Sequence, residues 1–111
     1  MKRFCFALDL VDDEKLIEEY KERHRNFWPE LREHTRRSGI QKLDIYNAGN
    51  RLFMIWETDD DFDLNGDQEE TDHQMEKRSA EWEEIMSEYQ RPIPIAKPGE
   101  KWVLMEKIFE L

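Results

Sequence analysis

The chain has 111 residues, enough for one hydrophobic core and too few for two, so it reads as a single domain over 1–111. Its 27 Asp and Glu against 17 Lys and Arg give a formal charge of −10, a field that repels phosphate backbones and anionic lipid and excludes both as general partners. Although 40% of the residues are charged, four Trp, three Tyr and six Phe fall at periodic apolar positions, which a disordered chain lacks.

Residues 3–10 are dense in Phe, Leu and Ala without helical spacing and read as a largely buried strand, ending at Asp12-Asp13 where a helix starts. The lone Cys5 lies in this run and reads as a small buried thiol in a reducing compartment. The run falls well short of the ~18 apolar residues that cross a bilayer, so the expected location is cytoplasmic.

From Asp13 to about Arg37, Leu16, Tyr20, His24, Phe27 and Leu31 recur every three or four residues and mark one helix face. Pro29 interrupts it, because proline removes a backbone donor and disfavours helical geometry at Trp28, which predicts a break near 25–29. Ser38-Gly39 supplies a left-handed stop behind Arg36 and Arg37. A strand over 40–46 turns through Asn47-Ala48-Gly49-Asn50 into another over 51–58, with Lys42, Asp44 and Tyr46 on one face of the first and Leu43 and Ile45 on the other.

An acidic loop over 58–70 follows, and Thr71 with Gln74 forms a capping box for a helix bearing Met75, Ser79, Trp82, Ile85/Met86 and Tyr89 on one face. The proline-rich stretch 91–99 reads as an extended crossing, and Lys101 to Phe109 as an alternating closing strand. This order gives an α+β, ferredoxin-like βαββαβ fold with both helical segments on one sheet face. Trp56, Trp102 and their neighbours leave apolar groups on both faces, so a second subunit is expected to cover the remainder.

Tyr20 and His24, four residues apart, stack on one inward helix face next to the predicted break. His24 reads either as a core-edge histidine satisfied by a carbonyl or as a general acid/base, since imidazole titrates nearest neutrality. Tyr46, Asp44 and Trp82 are candidates to converge with it. Aromatic walls with a few polar groups suit a sugar, whose C–H faces stack on rings while its hydroxyls take directed hydrogen bonds; Tyr46 and Trp82 read equally well as core residues. His24, His34 and His73 are scattered, so no zinc site is read. Asp61 to Asp72 matches most of a calcium loop, but its last position is Asp and a strand precedes it, which favours a solvated acidic loop.

The run Glu19-Tyr20 to His24, then Trp28-Pro29-Glu30-Leu31, with Ile45-Tyr46, Asn50-Arg51-Leu52-Phe53, the Trp82 helix and the 96–111 terminus, resembles the L-rhamnose mutarotase family over nearly the whole chain. The terminus resembles the branch described as L-fucose mutarotase. The resemblance implies a dimeric α+β barrel, a homodimer, and an isomerase that interconverts the α and β anomers of a 6-deoxyhexopyranose without cofactor or metal. By position it implies that His24 is the proton-transferring histidine and that Tyr20, Tyr46 and Trp82 contact the sugar. Rhamnose-acting members carry a second tryptophan after the helix tryptophan; here Glu83 follows Trp82, which points toward L-fucose. Other readings are a cofactor-less monooxygenase, because small dimeric α+β barrels host that chemistry too, and a non-catalytic sugar- or calcium-binding module.

Overall fold

The computed structural model describes residues 1–64 and 73–111. Strand β1 (Lys2–Leu10) leads into helices α1 (Glu14–Arg25) and α2 (Pro29–Arg37), the hairpin β2 (Ile40–Ala48) and β3 (Arg51–Thr58), helix α3 (His73–Ser87), and two short strands, β4 (Gln90–Arg91) and β5 (Val103–Leu104). The predicted break is present. Trp28 is extended (φ −65°, ψ 124°), as a residue before proline prefers, and Pro29 opens α2, where its missing N–H would be unpaired anyway. Asp13 caps α1 by accepting from the Leu16 N–H at 3.1 Å. Gly39 turns out of α2 at φ 105°, and a Cβ there would stand 3.1 Å from the Phe62 ring.

The strands form one curled antiparallel sheet in the order β2-β3-β1-β4, with β5 also on β1. This is the ferredoxin-like order with its fourth strand cut in two: Gln90 pairs with Leu10 and Leu104 with Phe6. The intervening prolines 92, 94 and 98 cannot donate to a ladder, and the chain instead makes turns closed by Ala96 N–H to Ile93 and Glu100 N–H to Lys97. The expected closing strand over 101–109 is corrected to the two residues Val103–Leu104. Beyond Met105, whose N–H reaches the Cys5 carbonyl at 2.7 Å, Ile108, Phe109 and Leu111 are exposed. Among the described residues nothing covers their apolar sides, and alternation alone does not hold a strand.

Alternate residues of the sheet face opposite ways. Leu8, Leu10 and Leu52 are buried with Tyr20, Leu31, Trp82, Met86 and Tyr89, so all three helices pack on one face, and Ile45 joins them from β2. Full burial of a leucine such as Leu8 or Leu52 contributes roughly 1.5–3 kcal/mol. Both Trp56 and Trp102 line the cleft on this helix side, while their strand neighbours supply the apolar groups of the other face. The opposite face is left to Cys5, Ala7, Phe53 and Ile55, all half-buried, beside Tyr46. Cys5 is thus half-covered rather than buried.

Candidate active site

Between the sheet and the helices lies an open cleft of about 720 Å³, within the range of small-molecule sites. Its chemistry begins at one turn of α1. Spacing of four residues puts the rings of Tyr20 and His24 4.5 Å apart, and Trp82 of α3 meets His24 edge-on at 5.5 Å. Phe27 and Trp28 pack edge-on against Trp82 at 4.9 and 5.2 Å, which sets the indole as the hub of an aromatic wall. The wall is braced from outside: Arg78 lies 3.8 Å over the Trp28 ring and pairs with Glu30 at 2.6 Å, tying α2 to α3.

The Nδ1 of His24 lies 2.9 Å from the Tyr20 carbonyl oxygen. A carbonyl only accepts, so Nδ1 carries the hydrogen and Nε2 is the free lone pair. Burial pushes the His24 pKa below its ordinary 6.5, with the backbone hydrogen bond opposing, so the ring is neutral at pH 7. A carbonyl thus satisfies one nitrogen of His24, as one sequence reading has it, and the other is left as a lone pair on a ring that lines the cleft.

Tyr20 is 3% exposed. Burial pushes its hydroxyl up to about 12, against the lowering effect of a hydrogen bond from Gln90, so it remains a neutral donor. Next to it, Tyr89 accepts from Arg23 at 2.8 Å and donates to Glu19 at 3.3 Å, fastening α1 to the segment after α3. Glu83 lines the cleft beside Trp82 and is tied to Lys101 at 3.2 Å, which anchors the strap bearing Trp102.

The structure brings Tyr20, His24 and Trp82 together and leaves Tyr46 apart. Ile45 points into the core, so its neighbour Tyr46 projects from the other sheet face and is 59% exposed. Asp44 shares that outer face. Gln90, which stands in no periodic pattern, also lines the cleft, as does Trp102, which the sequence marks only as an apolar residue of the sheet. Among the described residues, no cluster of three or more His, Cys, Asp or Glu is placed to hold a metal ion. The calcium-like segment falls largely on 65–72, and the capping residue Thr71 with it, outside the described residues. No helix among the described residues is long and apolar enough to cross a membrane.

Sheet, helices and cleft define a small α+β protein with a neutral histidine in an aromatic site. Residues 3–111 match the L-rhamnose mutarotase family, and the chain belongs to it. It is 39% identical over 114 residues to a UPF0734 protein of Dictyostelium discoideum, covering 99% of this chain and 90% of that one. It is 35% identical over 113 residues to an L-fucose mutarotase of Xanthomonas campestris, covering 100% and 89%. The crystal structure of an L-rhamnose mutarotase from Formosa agariphila shares the fold, with a TM-score of 0.69 at 23% identity over 100% of this chain and 99% of that one.

Proposed function

We propose that this chain is an isomerase that interconverts the α and β anomers of a 6-deoxyhexopyranose, L-fucose or L-rhamnose, with His24 as its proton-transfer group. The observation that carries this reading is the unprotonated Nε2 of His24, set in an aromatic cleft beside a protonated phenol. Mutarotation asks for no more than that. Nε2 takes the proton of the anomeric hydroxyl, and the C1–O5 bond breaks as C1 becomes an aldehyde. The Tyr20 hydroxyl donates a hydrogen bond to the departing ring oxygen, and the imidazolium returns its proton there. Rotation about C1–C2 and reclosure by the reverse steps from the other aldehyde face give the second anomer, with His24 neutral again.

Trp82 offers a ring for the C–H face of the sugar. Water already opens hemiacetals slowly, so acid/base help of ~10²–10⁴-fold with positioning suffices. The working form we infer is a cytoplasmic homodimer in which a second copy covers the sheet face bearing Cys5, Ala7, Phe53 and Ile55. Saturation-transfer NMR of L-fucose and L-rhamnose, with and without the protein, tests the activity: faster exchange of either sugar is expected, and unchanged exchange of both would sink the reading.

A further inference from the structure

One buried amide in the cleft is only half used. Gln90 opens β4, where pairing with Leu10 fixes its backbone, and it is 7% exposed. Its Nε2 donates to the Tyr20 hydroxyl oxygen at 3.2 Å, while its Oε1 is buried with no hydrogen-bond partner among the described residues. Buried side-chain acceptors in native proteins are nearly always paired, and an exception calls for a reason. The residue lines the cleft, so a donor can be brought to it by whatever the cleft binds. The amide's other end also has a consequence. An N–H donated to the Tyr20 oxygen occupies one of its lone pairs, and the phenol's own hydrogen must then point to a different acceptor.

We propose that Gln90 is a positioning and specificity residue, whose N–H turns the Tyr20 hydroxyl hydrogen toward the bound sugar and whose Oε1 accepts from one sugar hydroxyl. It rests on the anomer-exchange reading above. A site that leaves a buried polar group unpaired with the wrong substrate discriminates strongly against it. L-Fucose and L-rhamnose differ in configuration at C2 and C4, so one fixed acceptor on this wall favours one of them.

The test compares wild type, Gln90→Met and Gln90→Glu by saturation-transfer NMR on both sugars, with thermal melting to verify folding. Methionine fills the space and removes both functions: kcat falls about ten- to a hundredfold and the preference between the sugars narrows. Burial favours the neutral acid, so the glutamate variant is compared at alkaline pH, where its carboxylate is ionised and accepts only. It draws the Tyr20 hydrogen onto itself, so kcat falls as with methionine, while an acceptor remains and the sugar preference is kept. If the methionine variant does not fold, the glutamate variant still separates kcat from preference. A folded Gln90→Met with wild-type kcat and preference overturns the proposal, as does an equal loss in both variants with the preference unchanged, which marks a purely structural role. A wild-type protein that speeds neither sugar sinks the anomer-exchange reading itself, and this proposal falls with it.

Discussion

The two faces of one sheet are built from alternate residues of the same strands and differ in almost everything else. On the helix side, Leu8 and Leu52 lose all but 0–1% of their exposure and close over a cleft that holds Tyr20, His24 and Trp82. On the other side, Cys5, Ala7, Phe53 and Ile55 are only half-covered, and Tyr46 stands 59% exposed beside them. Buried aromatic neighbours lower the basicity of one imidazole and raise the pKa of one phenol. Half-covered apolar groups do nothing chemical but leave area to bury. The proposed function gives reactivity to one face and association to the other, and the two can be tested separately.

The largest expected effect lies on the helix side. His24→Gln keeps an amide near the Tyr20 carbonyl but has no titratable base, and kcat for anomer exchange should fall by about 10²–10⁴-fold with the fold intact. Saturation-transfer NMR beside a circular-dichroism melt checks it; a folded variant at wild-type rate would remove the histidine from the mechanism. On the opposite face, Ile55→Asp puts a charge in the middle of the half-covered patch. Buried against a second copy that charge has no partner, so the proposed dimer should give way to monomer in sedimentation or light scattering at micromolar concentration. An unchanged mass would remove this face from the proposed association.

The helix side was largely legible from sequence, and the rest less so, for local reasons. Pro29 and Gly39 act through their own backbones, so the break in the first helix and its end are written in single residues. The Tyr20–His24 pair follows from four-residue spacing alone. Gln90 carries no such mark: it is one polar residue after a helix, and only the pairing of Leu10 with it puts it under Tyr20. The closing strand read over 101–109 shrinks to Val103–Leu104 because nothing among the described residues packs on Ile108 and Phe109, and alternation alone does not hold a strand. Tyr46 and Asp44 are candidates by their place on the strand, and Tyr46 also by family position, although strand alternation already sets both opposite Leu43 and Ile45.

A smaller effect sharpens the helix side through pH. Burial holds the His24 pKa below 6.5 in the folded chain, so the unfolded chain binds that proton more tightly. The stability due to neutral His24 is present above about 6.5 and is lost as pH falls from there through the folded pKa. The rate follows the same sign. kcat/KM should stay level down past 6.5 and then fall about tenfold per unit below the folded pKa. With the Tyr20 hydroxyl near 12, that group adds no alkaline limb in the range where proteins are assayed. A half-maximum at or above about pH 7 in the kcat/KM profile would contradict a buried neutral base.

The smallest expected effect decides where Tyr46 belongs. Its side chain leaves the sheet away from the cleft, since Ile45 occupies the inward direction and neighbours on a strand alternate. A sugar held against Trp82 and His24 is on the far side of the sheet from it, and backbone does not let a side chain through. Tyr46→Ala should therefore leave KM and kcat within about twofold of wild type, the size of a surface change remote from the site. Dimer stability, measured alongside, is where its loss should register, because the ring adjoins Phe53 across the β2–β3 pairing on the half-covered face. A KM raised tenfold with the oligomeric state unaffected would place the Tyr46 ring on the sugar after all, and the two faces would then share the chemistry that the proposed mechanism gives to one.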